Sequence, residues 1–198
     1  MKAAVLEAPG KIVVKDIPMR TCAADEVLVK VSACGICGSD LKYYKGENPW
    51  ALHTLGHHVD NPPNMVLGHE FAGVVTAVGH ERLADLLGKR VFAEPFNTCG
   101  MCVYCRTGRY NLCKATRHIG HGAGWGEMDY FPGGMADYCP VWATHAFVLP
   151  DTISDEEATF LDPLAVAVHA VGVSRLQPGC SVLRSEEHTS ELQSRQVI

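Results

Sequence analysis

The sequence predicts a mainly β fold that carries a cysteine-rich metal lobe and leads into the first elements of an α/β domain. Short apolar runs separated by Pro and Gly turns occupy the first part of the chain, a pattern that is typical of strands. Four cysteines then crowd into the segment 99–113. After Pro150 the pattern changes from that of strands to that of helices.

Composition limits the class of protein. The 198 residues are 47% hydrophobic and 20% charged, with a formal net charge of −5, so the chain can bury the core of one domain or one and a half. No basic stripe is present to bind phosphates, which argues against a nucleic-acid partner. No apolar run reaches the roughly 20 residues that span a bilayer, and the run after Met1 is too short for a secretory signal. We therefore expect a cytoplasmic protein without a membrane partner.

Three strands are predicted at the start of the chain, over Ala3–Glu7, Ile12–Lys15 and Glu26–Ser32. The turn residues Pro9 and Gly10 separate the first two strands, and the third alternates apolar and polar side chains. These segments predict the opening of an all-β unit.

The cysteine-rich lobe contains Cys99, Cys102, Cys105 and Cys113, with two, two and seven residues between them. Their setting is polar and rich in turns, whereas buried cysteines usually occur along core strands. Nothing in the sequence suggests export, which argues against disulfides. A turning loop can place four sulfurs about 2.3 Å from one Zn²⁺ in a closed tetrahedral site. We therefore predict a structural zinc.

A second cysteine motif, Cys34-Gly-Ile-Cys37, follows the third strand. Gly35 and Gly38 allow a sharp bend that exposes the Cys37 thiol, and Ser39 adds a hydroxyl that could relay a proton. By itself the motif fits a redox pair or a buried cysteine about as well as a metal site.

The segment Gly68-His69-Glu70 leads into an apolar run that predicts a strand. An imidazole and a carboxylate at a strand start can face one cavity, and with Cys37 they complete a set of thiol, imidazole and acid. Fewer than four fixed protein ligands are typical of a catalytic zinc that keeps an open position. The alternative is a strand-edge histidine beside a surface charge.

The stretch 43–64 between these motifs is rich in Pro, Gly and His and is predicted to be a loop-like insert. Its histidines have no regularly spaced cysteine or carboxylate partners, so we expect no third metal site. We expect Trp50, with Tyr43 and Tyr44, to cover the mouth of a pocket.

These motifs resemble the zinc-containing medium-chain dehydrogenase/reductase family, which includes alcohol, sorbitol and threonine dehydrogenases. The resemblance runs from about Lys2 to Leu183. It implies a GroES-like β-barrel catalytic domain holding one catalytic and one structural zinc, followed by a Rossmann domain for NAD or NADP. It also implies that segment 88–93 is a strand and that segment 133–138 returns the chain to the barrel. The matching motifs are Cys34–Asp40, Gly68–Glu70 with Gly73 and Gly79, and the four-cysteine lobe.

The resemblance implies the ligands of the catalytic zinc. Cys37 and His69 would bind it together with an acid, and both Glu70 and Asp162 remain candidates for that acid. An acid at the position of Asp162 is typical of the sorbitol and threonine branches, where classical alcohol dehydrogenases have a cysteine.

The resemblance also implies a proton relay that begins at Ser39, which would take the proton of the substrate alcohol. Lys42 stands where the classical pattern has a histidine that passes this proton to solvent. The group that passes the proton from Ser39 to solvent is therefore not fixed, and the candidates are Lys42, water and the cofactor ribose.

The last part of the chain predicts helices and an incomplete cofactor domain. Ser154 and Glu157 form a capping box, and Pro163 is predicted to open a helix through Val171. Gln177–Leu183 resembles the turn and opening of the first Rossmann strand, but no Gly-x-Gly-x-x-Gly turn follows it. Instead, Arg184–Ile198 resembles the translation of a common short-read sequencing adapter, and we expect it to pack on nothing specific.

The predicted organisation has three parts. Residues 1–150 are the zinc-binding catalytic domain, residues 151–183 are linking helices and the start of a truncated Rossmann domain, and residues 184–198 are an artefactual tail. The implied full-length parent is a homo-oligomer that oxidises a secondary alcohol or polyol to a ketone with NAD or NADP. The chain as written is expected to be inactive. The alternative function is a non-catalytic zinc-binding GroES-like module.

Overall fold

The computed structural model describes residues 1–182, which fall into two compact units that divide after Asp162. In this part of the chain the strands are β1 (Lys2–Ala8), β2 (Lys11–Asp16), β3 (Glu26–Cys34), β4 (Met65–Val66), β5 (Phe71–Val78), β6 (Arg90–Ala93), β7 (Phe96–Asn97), β8 (Arg117–His118), β9 (Tyr138–Trp142) and β10 (Ala146–Val148). The α-helices are α1 (Gly38–Tyr44), α2 (Pro49–Leu55), α3 (Val103–Arg106), α4 (Asp155–Ala158) and α5 (Leu161–Ser174). Short 3₁₀ turns cover Glu81–Leu86, Tyr110–Leu112 and Ala143–His145. None of the described helices is long and apolar enough to cross a membrane.

The first unit is built on two larger sheets. One has the strand order β2-β1-β4, and the other has the order β10-β6-β5-β3-β9; a short pair, β7-β8, lies beside the cysteine-rich lobe. The central pairing is antiparallel, between β3 and β5, with Cys34 opposite Phe71. This register brings the end of β3 next to the start of β5, so the two motifs predicted at those points become neighbours.

The main core lies on the five-stranded sheet. Trp142 and Phe71 are its largest members, and the apolar positions of β3 and β9 pack around them. Cys139 is fully buried in this cluster, opposite Val29 of β3. Burial of such side chains is the main source of stability for this unit.

The predicted β pattern is confirmed. The three N-terminal strands and the strand within 88–93 are present, and Phe71–Val78 is the strand predicted after Glu70. Segment 133–138 runs beside β1, where the Met135 carbonyl accepts from the Ala4 N–H and the Asp137 N–H donates to the Lys2 carbonyl, each at 2.9 Å. The capping box is also confirmed: Ser154 Oγ accepts from the Glu157 N–H at 3.1 Å, and Glu157 Oε2 accepts from the Ser154 N–H at 2.9 Å.

The loop predicted over 43–64 is wrong in its centre, where α2 forms. Asn48 caps this helix through Oδ1, which accepts from the Ala51 N–H at 3.0 Å, and Pro49 occupies its first turn. Gly56 ends it in the left-handed region, with φ of 80°. These are regular helix start and stop signals, and the density of Pro, Gly and His obscured them.

Two smaller expectations also need correction. Tyr43 does not cover a pocket mouth, because its ring is buried with Leu6 and Met65 in a second core cluster. Helix α5 begins at Leu161, two residues before the predicted start at Pro163. Pro163 fits into the first turn because the N–H groups of that turn have no partner within the helix, so the missing N–H of proline costs no hydrogen bond. The tail predicted at 184–198 and the end of the predicted Rossmann strand lie outside the described residues.

The β3–β5 pairing generates a stability prediction at Gly73. A Cβ at this position would lie 2.0 Å from the carbonyl oxygen of Lys30, a backbone atom that cannot rotate away. We expect Gly73→Ala to lower the free energy of unfolding by about 1–3 kcal/mol, as overpacking does. Urea unfolding followed by tryptophan fluorescence measures this.

The matched control for this prediction is Gly172→Ala in α5, where a Cβ would meet nothing within 4 Å. It should not lower the free energy of unfolding and can raise it by up to about 1 kcal/mol, because alanine is a better helix former than glycine. Equal unfolding curves for the Gly73 variant and the unmodified chain would contradict the prediction.

Candidate functional site

Four cysteine sulfurs converge in the lobe that follows β7. The Sγ atoms of Cys99, Cys102, Cys105 and Cys113 all lie within 4.8 Å of one another. The Sγ atoms are separated by 3.5 Å for Cys102–Cys105, 3.6 Å for Cys99–Cys113 and 3.9 Å for Cys99–Cys105. These values are close to the spacing of about 4 Å between sulfurs on a tetrahedral ion. All four thiols are free, so the lobe is not held by disulfides.

The charges of this lobe also suit a metal ion. Backbone N–H groups of Met101 and Cys102 lower the pKa of Cys99 to about 6. Desolvation, with the neighbouring Cys102 and Cys113 thiols, raises the pKa of Cys105 to about 11. Adjacent thiols resist losing all their protons because the negative charges repel, and a bound cation removes this repulsion. The donor set fits a zinc ion with no open position.

A second cluster forms where the end of β3 meets the start of β5. Ligand atoms of Cys37, His69 and Glu70 lie within 4.8 Å of one another. The Gly35 N–H donates to the carbonyl oxygen of Glu70 at 2.7 Å and ties the two segments together. A Cβ at Gly35 would lie 2.7 Å from Glu70 Oε2, so glycine leaves the room that this carboxylate occupies. Thiol, imidazole and carboxylate are all donors that zinc accepts.

Asp40 supports this cluster, a role that the sequence analysis missed. Its carboxylate is buried and accepts hydrogen bonds from the Cys37 N–H at 2.9 Å and the Gly68 N–H at 3.2 Å. Its Oδ1 also lies 3.6 Å from His69 Nδ1, an ion-pair distance longer than a good hydrogen bond. Carboxylates beside metal-binding histidines orient the ring in this way. The sequence did contain a pattern that indicates this role. Asp40 lies three residues after Cys37, the N-cap of α1, and capping boxes have an acid at that position.

A metal ion at this cluster would compete with a proton for His69. Burial lowers the pKa of His69, but the Asp40 carboxylate and the Cys37 thiol outweigh it and raise that pKa to about 10. The same contact with His69 lowers the pKa of Cys37. A metal ion that takes the His69 lone pair must therefore release a proton.

The two residues predicted to relay a proton lie in different surroundings. Ser39 Oγ is 3.4 Å from His69 Nε2 and thus belongs to the cluster. Lys42 is exposed on α1, and its side chain makes no hydrogen bond or ion pair within residues 1–182. The structure brings Ser39 to the site and does not bring Lys42 there.

Asp162 lies on a cavity that His69 also lines. This cavity, of ≈ 400 Å³, is bounded by His69, Pro95, Phe96, Tyr110, Asn111, His118, His121 and Asp162. Asp162 is not part of the group whose ligand atoms lie within 4.8 Å, whereas Glu70 is. Burial raises the pKa of Asp162. A larger groove of ≈ 660 Å³, beside Arg20 and Tyr130, contains none of the candidate ligands.

His118 and His121 are cavity residues that the sequence analysis missed. Their ring centroids are 4.4 Å apart, and His121 lies 6.3 Å from His69 with the rings edge to face. Burial lowers the pKa of His118 to about 4 and lowers the pKa of His121 strongly. The sequence shows only two histidines three residues apart in a glycine-rich segment, a pattern that does not predict a site. The fold places them beside His69.

Comparisons with known proteins agree on one family. The model of the alcohol dehydrogenase GroES-like domain matches residues 23–151. Sorbitol dehydrogenase of Bacillus subtilis (strain 168) is 37% identical over 182 residues, which are 92% of this chain and 48% of that protein. An L-threonine 3-dehydrogenase of Marinomonas sp. (strain MWYL1) is 37% identical over 166 residues, which are 84% of this chain and 44% of that protein.

A solved structure gives the same result. A zinc-binding dehydrogenase from Sinorhizobium meliloti 1021, solved with NADP, superposes with a TM-score of 0.74 at 36% identity, over 90% of this chain and 46% of its own. The chain thus spans about half the length of the relatives it matches. Both metal-ligand clusters fall within the matched domain, and the predicted mainly β fold is confirmed. The chain belongs to the zinc-containing medium-chain dehydrogenase/reductase family, through its alcohol dehydrogenase GroES-like domain.

Proposed function

We propose that this chain is the catalytic part of an oxidoreductase that oxidises a secondary alcohol or polyol to a ketone with NAD or NADP. The observation that carries this proposal is the cluster of Cys37, His69 and Glu70, because His69 also lines a cavity of ≈ 400 Å³. A cavity of this size suits a small substrate. The names of the relatives support the same class of reaction, since they include sorbitol and L-threonine dehydrogenases.

The proposal assigns a role to each residue of the candidate catalytic site. Cys37, His69 and Glu70 would hold a catalytic zinc, and Asp162 lines the same cavity as His69. When bound, zinc acts as a Lewis acid that makes an alcohol hydroxyl easier to deprotonate. Ser39 Oγ, 3.4 Å from His69 Nε2, is placed to accept that proton. From there we propose that the proton leaves through water, since the Lys42 side chain is exposed on α1.

We propose a structural role for the four-cysteine lobe. Cys99, Cys102, Cys105 and Cys113 would hold a second zinc without an open position and fix a segment of little regular structure. We propose residues 1–150 as the zinc-binding catalytic domain, residues 151–183 as linking helices with the start of a Rossmann domain, and residues 184–198 as a tail that is not part of either. The cytoplasmic compartment and the homo-oligomeric state of a full-length parent stay predictions.

A non-catalytic zinc-binding module is the second candidate. It is favoured by the four-cysteine lobe, whose donor set can bind a metal ion without an open position for a substrate. Turnover of a secondary alcohol by the full-length parent, with NAD or NADP, separates the two. Two bound zinc ions without turnover in that parent would favour the module.

The zinc content of cysteine variants tests the two sites separately. We expect two zinc ions per chain by elemental analysis. Cys102→Ser should lose one ion and much of the thermal stability, because the lobe depends on its metal. Cys37→Ser should lose one ion with a smaller loss of stability.

The matched control for these variants is Cys22→Ser, since Cys22 lies in neither cluster. It should retain both ions. Two ions in Cys37→Ser would show that Cys37 is not a ligand.

Variants of the two candidate acids decide which one binds the catalytic zinc. Because the Glu70 carboxylate lies with Cys37 and His69, we expect Glu70→Ala to lower zinc affinity at that site by at least about tenfold. Asp162→Ala should retain both ions. Competition with a chelator of known affinity measures this, and the opposite ranking of the two variants would assign the ligand to Asp162.

The relay predicts a specific loss in Ser39→Ala. In the full-length enzyme this variant should retain two zinc ions and lose about 10²–10⁴-fold in kcat, the usual contribution of a positioned proton acceptor. Ser32→Ala, an exposed serine on β3, is the control and should keep full activity. An unchanged kcat for Ser39→Ala would remove this hydroxyl from the mechanism.

A further inference from the structure

A crevice of ≈ 200 Å³ lies between helix α2 and the cysteine-rich lobe. His53 and Thr54 of α2 line it, together with Tyr104 and Asn111 of the lobe and Lys114, which directly follows the lobe. The crevice is distinct from the cavity beside His69 and is too small for a whole sugar-sized ligand, so it suits one small group of a ligand.

A hydrogen bond joins the two elements that form this crevice. The Trp50 indole N–H of α2 donates to Thr116 Oγ1 at 3.2 Å, two residues after Lys114. The crevice is therefore formed before any ligand binds, which lowers the entropic cost of binding.

The polar side chains that line the crevice can all donate hydrogen bonds. Lys114 carries three N–H donors, and Thr54 and Tyr104 carry hydroxyl groups. Asn111 adds an amide and His53 a ring N–H. None of these side chains makes a hydrogen bond or an ion pair within residues 1–182, and no Asp or Glu lines the crevice. Five available donors around one small crevice without a carboxylate favour an anionic ligand.

The charge of the surrounding segment also favours an anion. Segment 95–126 contains no Asp or Glu, although the whole chain has a formal net charge of −5. Its cations are Arg106, Arg109, Lys114 and Arg117. The Arg109 guanidinium lies 5.6 Å from the centroid of the Tyr104 ring, so a second cation lies beside the crevice. Cys113 also lines the crevice, and a zinc ion with four thiolates carries two negative charges, which the four cations exceed.

The crevice adjoins the cavity beside His69. Asn111 lines both of them. A molecule that passes Asn111 can therefore place one end beside His69 and the other end in the crevice. The lining of the cavity contains no Lys or Arg, whereas the crevice has Lys114. An anionic group at the far end of such a molecule would thus find its counter-charge in the crevice.

We propose that this crevice is an anion-binding subsite that takes a phosphate group, with Lys114 as its counter-charge. Phosphate suits the crevice better than a carboxylate, because its larger charge and its three acceptor oxygens can use several donors at once. The group is either free inorganic phosphate or the terminal phosphate of a polyol phosphate whose reacting hydroxyl lies beside His69. The second source rests on the proposed function, because it takes the cavity beside His69 as the substrate site.

A titration of the zinc-loaded chain with inorganic phosphate tests the subsite. With ¹⁵N-labelled histidine rings, at constant pH and ionic strength, we expect a saturating shift of the His53 ring signals. The Kd should be on the order of 1 mM, because the crevice is open to solvent and its charges are screened. The exposed His80 lies outside the crevice, is the internal control and should not shift. No saturating shift of His53 up to about 10 mM would overturn the inference.

Titration with D-sorbitol 6-phosphate distinguishes the two sources of phosphate. If the phosphate belongs to a substrate, this compound should bind about tenfold more tightly than inorganic phosphate, because two linked groups bind together. It should then shift His118, which lines the cavity, as well as His53. Equal affinity with a shift of His53 alone would support a subsite for free phosphate. D-Sorbitol should leave His53 unchanged, and an equal shift by this neutral compound would overturn the inference.

Lysine variants test the counter-charge. Lys114→Gln should weaken phosphate binding by roughly 3- to 10-fold, the contribution of one solvent-exposed charge pair. Lys89→Gln changes an exposed lysine outside the crevice lining, is the matched control for net charge and should bind phosphate as the unmodified chain does. If Lys114→Gln fails to fold, Thr54→Val removes one donor at constant shape and should weaken binding by roughly 2- to 5-fold. Unchanged phosphate affinity in the variant that folds would overturn the inference.

Turnover separates this inference from the proposed function. The full-length parent is assayed with a neutral secondary alcohol and with D-sorbitol 6-phosphate. A lack of turnover with both compounds, with phosphate still shifting His53, would contradict the proposed function and support the subsite for free phosphate. Turnover of the neutral alcohol without any response of His53 to phosphate would overturn the inference alone.

Discussion

The buried carboxylate of Asp40 is the contact on which the candidate catalytic centre depends. It accepts from the Cys37 N–H and the Gly68 N–H, and it lies 3.6 Å from His69 Nδ1. One side chain thus links the start of α1 to the segment before β5, and these two segments carry the three candidate metal ligands. Burying a carboxylate without hydrogen-bond partners costs free energy. The two N–H groups offset this cost for Asp40, and Asp40 in turn fixes the positions of these N–H groups.

The two metal-ligand clusters are assembled in different ways. The cysteines of the lobe lie within fifteen consecutive positions, from Cys99 to Cys113, and short turns are enough to bring their sulfurs together. Cys37 and His69 are separated by a helical segment, and the antiparallel β3–β5 pairing brings them into contact. The lobe is therefore local, whereas the second centre depends on the packing of the whole sheet.

The cavity beside His69 combines residues from distant parts of the chain. Phe96 belongs to β7, His118 to β8 and Asp162 to the first turn of α5. Tyr43 stacks on the lining residue His121 and is part of the core cluster with Leu6 and Met65, so the hydrophobic core supports this side of the cavity. Close packing of that core limits the movement of the His121 ring.

The sequence by itself determined the β pattern, the local cysteine site and the position of the thiol, imidazole and acid motifs, because alternation, turn residues and ligand spacing act over short distances. It did not reveal α2, whose Asn48 and Gly56 caps were hidden in a segment rich in turn-forming residues. Only the tertiary structure grouped Glu70 rather than Asp162 with Cys37 and His69, and only it placed His121 against Tyr43. Those contacts join residues far apart in the chain, and they depend on strand register and close packing, which short-range patterns do not encode.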